Sequence, residues 1–169
     1  DDSVTSWSTE LREIMWVFET NKLKVLRTPL DGNCFFHAVG QQVGMGHEEV
    51  RAAAVRYLRR EEEINGEKWD GFIEGGSRGR RYYLRKMSTN GEWADHVMVM
   101  ATACAVKKRI LIYSQGGVTE IGPAEMEGED LTLGFIQEEH YFGAEREQQQ
   151  QPQQQQPQQQ QQQQPLQGV

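Results

Sequence analysis

The sequence has few cysteines and few prolines. Its 169 residues include two cysteines and five prolines, and three of the prolines lie in the last 22 positions. Cys34 and Cys104 are 70 positions apart, with neither a CxxC motif nor the Cys/His spacing of a zinc site. The pattern indicates no disulfide framework and no structural metal, and we expect no cofactor. A reducing compartment is expected, the cytoplasm with the nucleus as the alternative.

Long hydrophobic runs are also missing. The longest uncharged apolar stretch, Val97 to Val106, spans ten residues and includes Thr102, whereas a transmembrane helix needs about 20 apolar residues. The first ten residues lack the basic start and the apolar core of a signal peptide. We therefore expect no membrane partner and no secretion.

The chain has no excess of basic residues. Its net charge is −7 and its pI is about 5.2, which argues against nucleic acid as a partner because phosphate binding needs a clustered basic surface. From residue 110 to residue 147, nine acidic residues accompany a single basic one, Arg146. This acidic region is suited to a basic ligand, and a solvated surface is the simpler interpretation.

The composition divides the chain into one domain and a tail. Residues 148–169 contain 16 glutamines and no charged residue, so they cannot bury enough apolar surface to offset the entropy of ordering. Residues 1–147 carry all the charged side chains and have the composition of one globular domain. We predict a domain at 1–147 followed by a disordered Gln/Pro-rich tail.

Helical periodicity dominates the first part of the domain, and strand patterns follow. The apolar spacing predicts an N-terminal helix capped by Ser8. Short β-branched and aromatic runs separated by glycine predict strands later in the chain. Helices before strands favour an α+β domain. The predicted helices lie near 8–18, 34–39, 47–60, 69–73 and 97–104, and the predicted strands near 23–26, 109–113, 118–121 and 131–136.

The segment Asp31-Gly32-Asn33-Cys34 is the sharpest local feature. Its turn residues place Cys34 in the first turn of a helix, where free backbone N–H groups and the helix dipole favour a thiolate. The same N–H groups are suited to bind the oxyanion that forms when a thiolate attacks a carbonyl. Cys34 is therefore the candidate nucleophile, and Asp31 to Cys34 form the candidate oxyanion hole.

A nucleophilic thiol needs a base, and the chain offers His37, His47, His96 and His140. His37 shares the helix of Cys34, His47 lies near the start of the next helix, and His96 precedes an apolar helix. His140 follows a predicted strand, so it can project from a sheet edge towards a cysteine on a facing helix. We take His140 as the candidate base.

These residues together resemble the ovarian tumour (OTU) family of cysteine proteases. The resemblance rests on the segment from Asp31 to Cys34, Trp93 before a helix and strand, and the late pair His140-Tyr141. It covers about Leu23 to Gly143. It implies a papain-like OTU fold, a small central β-sheet flanked by helices, and peptidase or isopeptidase activity on ubiquitin or a related modifier.

By position, the resemblance makes Cys34 the nucleophile, His140 the general base and Asp31 part of the loop that shapes the oxyanion hole. Many family members have Asp or Asn two positions after the histidine to orient it, whereas this chain has Phe142. We expect Asp31 to take that role, with His96, a backbone carbonyl or a catalytic dyad as alternatives. Trp93 is expected to be core or scaffold.

The leading hypothesis is a monomeric, thiol-dependent deubiquitinase that acts on ubiquitin, a ubiquitin-like protein or polyubiquitin chains. Glu138 and Glu139 are candidate contacts for the basic C-terminal tail of ubiquitin, and a solvated acidic face is the alternative. Two other functions stay open: a viral or transposon polyprotein-processing cysteine peptidase, and a non-catalytic ubiquitin-binding OTU module, which Phe142 favours.

Overall fold

The computed structural model describes residues 2–123, 125–126 and 128–147. Within this part of the chain, helices occupy most of the first hundred residues. The α-helices are α1 (Asp2–Thr20), α2 (Cys34–Val43), α3 (His47–Arg60), α4 (Arg80–Met87) and α5 (His96–Val106), and short 3₁₀ helices cover Trp69–Phe72 and Gly76–Gly79. The predicted tail at 148–169 lies outside the described residues.

A mixed five-stranded sheet forms the centre of the described domain, in the order β1-β7-β6-β4-β5. β4 runs parallel to β6, and the other neighbours are antiparallel. A separate two-stranded hairpin pairs β2 with β3. The strands are β1 (Leu23–Leu26), β2 (Glu63–Ile64), β3 (Glu67–Lys68), β4 (Ile110–Ser114), β5 (Gly117–Ile121), β6 (Leu131–Ile136) and β7 (His140–Arg146).

The sheet is covered by helices on both faces. Successive side chains of a strand point to opposite faces, and the central strands carry apolar residues on both. Leu131 and Leu133 of β6 face a large core that includes side chains of α2, α3 and α5. Ile136 of β6 and Phe142 of β7 face a smaller core with Phe18 of α1. The expected α+β fold with a central sheet flanked by helices is confirmed.

The helix boundaries follow from identifiable caps. The Asp95 carboxylate accepts a hydrogen bond from the Met98 N–H at 2.9 Å, which starts α5. Gly44 ends α2 in the left-handed conformation at φ 71°, which glycine adopts without steric cost. The prediction that Ser8 caps the first helix is wrong, because α1 begins at Asp2.

Two further expectations need correction. The sequence did not predict β7, which begins at His140 itself and pairs with β1 on one side and β6 on the other. β1 is more than 100 positions away, and the tight turn to β6 has Gln137 and Glu138 in place of the Asn or Gly that marks a hairpin, so the sequence carries a weak signal for β7. Of the two roles expected for Trp93, the core role is wrong, since 43% of the residue is exposed, and the scaffold role stays a prediction.

No helix in the described residues is long and apolar enough to cross a membrane. The same part of the chain contains no cluster of three or more His, Cys, Asp or Glu side chains arranged to hold a metal ion.

Candidate active site

Cys34 is the first residue of α2, where the sequence pattern places it. The turn before it is closed by Asp31. The Asn33 N–H donates to the Asp31 carboxylate Oδ1 at 2.9 Å, and the Cys34 N–H donates to the Asp31 carbonyl at 3.1 Å. Asp31 thus fixes the backbone that delivers the thiol to the helix start.

The Cys34 thiol is held against β7. Its Sγ accepts a hydrogen bond from the Tyr141 N–H at 3.3 Å and donates one to the Glu139 carbonyl at 3.8 Å. These two backbone groups flank His140. β1 stops pairing with β7 at Leu26, opposite Gly143, so the sulfur occupies the free edge of β7 just beyond the end of β1.

His140 lies directly opposite Ile136 across the β6–β7 pair. Strand alternation puts its side chain on the α1 face of the sheet, with Ile136 and Phe142. The residue is 8% exposed and lines a groove between α1 and β1 whose walls include Met15 and Leu30. The backbone around His140 therefore holds the Cys34 thiol at the edge of β7, and the His140 side chain lines the groove on the α1 face.

Burial sets the protonation of both groups. It raises the pKa of the Cys34 thiol above its ordinary value, and the Asp31 charge adds to the rise, while hydrogen bonds from the Tyr141 and Phe35 N–H groups lower it in part. Burial likewise lowers the pKa of His140, and the Asp31 charge opposes this. At neutral pH the resting pair is a thiol and a neutral imidazole. The expectation of a thiolate stabilised by the helix start is wrong in its net direction, because desolvation outweighs the N–H groups.

The N–H donors of the candidate oxyanion hole are already hydrogen-bonded within the loop. The N–H groups of Asn33 and Cys34 both bond to Asp31 in this conformation. A carbonyl oxygen that enters above Cys34 must compete with these internal acceptors or displace them. The backbone of Asp31 to Cys34 stays the predicted oxyanion hole, and its donors are engaged before substrate binds.

Phe142, at the position where the resemblance leads one to expect Asp or Asn, is a core residue. It is 3% exposed and contacts Phe18 edge to face, with ring centroids 5.9 Å apart. A Cβ atom on Gly134 would lie 2.1 Å from the Phe142 ring. The ring thus covers Gly134 on the neighbouring strand, and the apolar side chain supplies packing where a polar one would orient His140.

The other histidines lie elsewhere. The rings of His37 and His47 contact each other, with centroids 4.3 Å apart. Burial and His47 lower the pKa of His37. His96 is the first residue of α5, next to the capping Asp95. His37 shares α2 with Cys34, and the Asp31 charge opposes the lowering of the His37 pKa.

Glu138 and Glu139 are exposed and lie in the turn between β6 and β7. Their position beside His140 keeps them candidate contacts for a basic peptide. Glu139 has a second contact that the sequence could not indicate, because its backbone carbonyl accepts the thiol hydrogen bond. The Tyr141 N–H was missed for the same reason, since every residue has a backbone carbonyl and every residue except proline has a backbone N–H.

A buried thiol at a helix start beside a histidine on the adjoining strand defines a class, the cysteine proteases of α+β fold. The sequence matches the family described as OTU-like cysteine protease over residues 29–142. The chain belongs to this family, and the resemblance noted from the sequence is confirmed.

The relatives include OTU domain-containing protein 4 of Mus musculus, which is 35% identical over 115 residues, or 66% of this chain and 10% of that protein. The OVARIAN TUMOR DOMAIN-containing deubiquitinating enzyme 10 of Arabidopsis thaliana is 31% identical over 148 residues, or 83% of this chain and 39% of that protein. The chain thus spans much less than the full length of either relative.

Solved structures share the fold. The OTU domain of OTUD1 superposes with a TM-score of 0.68 at 19% identity, over 85% of this chain and 99% of that domain. An OTU domain solved in complex with ubiquitin superposes with a TM-score of 0.58 at 14% identity, over 72% of this chain and 69% of that one.

Proposed function

We propose that the chain is a thiol-dependent deubiquitinase that hydrolyses the bond between the C-terminus of ubiquitin, or a ubiquitin-like protein, and a lysine amine. The observation that carries the proposal is the position of the Cys34 sulfur between the backbone groups that flank His140. Relatives named as deubiquitinating enzymes and ubiquitin thioesterases support the choice of substrate.

The neutral resting pair suggests how the reaction starts. His140 Nδ1 or Nε2 takes the thiol proton as Cys34 Sγ attacks the carbonyl carbon of the modifier's C-terminal glycine. Backbone N–H groups of the Asp31–Cys34 loop stabilise the resulting oxyanion. The imidazolium then protonates the leaving lysine amine, and a thioester forms on Cys34. Water, deprotonated by His140, hydrolyses the thioester and releases the modifier and the free thiol.

The proposal also covers the cellular compartment, the oligomeric state and the partners of the enzyme. Both cysteines are free thiols, in keeping with a reducing compartment, and we place the enzyme in the cytoplasm with the nucleus as the alternative. We further propose that it acts as a monomer on ubiquitin or polyubiquitin, without nucleic acid or a membrane. Residues 148–169 have no catalytic role in this scheme, and their deletion should leave kcat unchanged.

The test is reaction of the 169-residue chain with a ubiquitin probe that carries a C-terminal electrophile. Wild type and Cys104→Ala should form a covalent adduct, and Cys34→Ala should form none while keeping its thermal unfolding temperature. Cys104 is the matched control because burial raises the pKa of its thiol too, yet it lies in the last turn of α5, where its partner is Tyr57. Labelling that persists in Cys34→Ala would overturn the assignment.

The probe reaction tests the first alternative function, and a cleavage assay tests the second. A non-catalytic ubiquitin-binding module would bind ubiquitin without forming the adduct. The second alternative is a polyprotein-processing peptidase. It would cleave peptide bonds in its own flanking chain, which mass spectrometry of a longer chain detects.

A further inference from the structure

A buried arginine lies behind the catalytic loop. Arg51 of α3 is 4% exposed. Its Nη1 donates to the Met87 carbonyl at 3.0 Å, and its Nη2 donates to the Glu92 carbonyl at 2.8 Å and to Asn33 Oδ1 at 2.8 Å. The guanidinium carbon also lies 4.1 Å from the centre of the Phe36 ring. One planar cation thus joins three separate chain segments.

The Asn33 side chain makes three hydrogen bonds in this network, the first being the one that its Oδ1 accepts from Arg51. Its Oδ1 also accepts the Gly91 N–H at 2.8 Å, and its Nδ2 donates to Asn90 Oδ1 at 2.8 Å. An Asn at the start of a helix usually caps that helix with its own side chain, but Asn33 makes no such bond to α2. The residue before Cys34 is held from outside the helix.

The backbones of the two segments are in direct contact. A Cβ atom on Gly32 would lie 1.6 Å from the Gly91 carbonyl oxygen, so only glycine fits there. Any shift of the Asn90–Glu92 segment must therefore move Gly32 and Asn33. Arg51 fixes that segment through the Glu92 carbonyl, and it fixes the loop through the Asn33 side chain and through the Gly32 carbonyl, to which Nη2 donates at 3.4 Å.

We propose that Arg51 is a positioning residue for hydrolysis, which sets the Gly32–Cys34 backbone through Asn33 and the Asn90–Glu92 segment. The proposal rests on the proposed function of the preceding subsection. Arg51 donates to none of the reacting atoms, so its contribution passes through the geometry of the nucleophile and the oxyanion-hole backbone. A misplacement of such groups by 1 Å costs about 100-fold in rate.

The test compares kcat and KM on a ubiquitin C-terminal fluorogenic substrate for three variants. Arg51→Met keeps the bulk of the side chain and removes the donors. Arg51→Lys keeps the charge without the planar fork. Gln42→Leu is the matched control, because Gln42 on the same helix as Cys34 bonds both the N–H and the carbonyl of Thr132, far from the loop.

Arg51→Met should lower kcat by about 10- to 100-fold with KM changed by less than about threefold. Arg51→Lys should fall between Arg51→Met and wild type, and Gln42→Leu should keep kcat although its unfolding temperature falls. If Arg51→Met does not fold, Asn90→Ala removes one bond to Asn33 at an exposed residue and should lower kcat in the same direction. The proposal would be overturned if the Arg51 and Asn90 variants had the same kcat as Gln42→Leu. It would also be overturned if they raised KM and left kcat unchanged.

Alkylation of Cys34 by iodoacetamide, in a Cys104→Ala background, reports on the loop without ubiquitin. Cys34 is 1% exposed, so release of the loop should speed alkylation several-fold in the Arg51 variant that folds, and in Asn90→Ala, but not in Gln42→Leu. Faster alkylation with no ubiquitin hydrolysis by wild type would refute the proposed function and leave the positioning role supported. If wild type hydrolyses the ubiquitin substrate, and the Arg51 and Asn90 variants keep its alkylation rate and its kcat, the positioning role is refuted.

Discussion

The Tyr141 N–H donates a hydrogen bond to the Cys34 sulfur at 3.3 Å. The thiol thereby takes the place of a strand partner at the edge of β7, one residue away from the histidine that must accept its proton. Because the sulfur is buried, this single N–H does not offset the loss of solvation, and the pKa of the thiol stays above its ordinary value.

The first prediction concerns pH. Cys34 should be alkylated slowly at pH 7, and the rate should rise into the alkaline range, because the raised pKa means that the thiolate forms only at higher pH. The lowered pKa of His140 keeps the base neutral down to below about pH 6.5, so kcat/KM should fall only below that pH, as the imidazole becomes protonated. The measurements are iodoacetamide alkylation in Cys104→Ala and kcat/KM between pH 5 and 10. Rapid alkylation at pH 6 would instead indicate a thiolate–imidazolium pair.

The second prediction concerns Asp31. Asp31→Asn keeps an oxygen that can accept the Asn33 N–H and removes the charge that acts on both Cys34 and His140. Without that charge the thiol pKa and the His140 pKa both fall. If Asp31 orients His140, kcat should drop much more than KM rises, because the lost interaction acts in the transition state. The readouts are kcat, KM and thermal unfolding, and a wild-type kcat would leave a dyad, His96 or a backbone carbonyl as the orienting group.

The third prediction concerns Phe142. Replacing it with Asn supplies the side chain that many family members have at this position, but it removes the ring that packs on Phe18 and covers Gly134. We expect Phe142→Asn to lower the free energy of unfolding by about 3–5 kcal/mol, so that any gain in kcat is visible only at low temperature. Phe142→Leu is the control, since it keeps apolar volume and should cost much less. Equal unfolding midpoints in urea for both variants would contradict this account.

The site shows which features a sequence can carry. The turn from Asp31 to Asn33 and the histidine after β6 are local signals, so the start of α2 and the place of His140 beside the sheet were predictable. β7 was not, because the turn that joins it to β6 has Gln137 and Glu138 instead of the usual Asn-Gly, and its other partner, β1, is more than 100 positions away. Arg51 was missed since a charged residue on a helix is usually solvated, and only the acceptors from three distant segments make its burial tolerable.

The turn between β6 and β7 leads to the last prediction. Gln137 and Glu138 adopt left-handed conformations at φ 55° and 56°, and the Glu139 N–H donates to the Ile136 carbonyl at 3.2 Å. The turn is therefore of type I′, which favours glycine at its second central position.

Two substitutions at Glu138 separate its backbone role from its charge. Glu138→Gly relieves a left-handed side chain, which costs about 1–2 kcal/mol, and the flexibility of unfolded glycine offsets part of that gain, so the unfolding temperature should rise modestly. Glu138→Gln keeps the backbone strain and removes the charge. If the carboxylate attracts the basic tail of ubiquitin, Glu138→Gln should raise KM by about two- to fivefold at low salt with kcat unchanged, and the difference should shrink at high salt because exposed charges are screened. A KM that matches wild type at every salt concentration would leave Glu138 as a solvated turn residue.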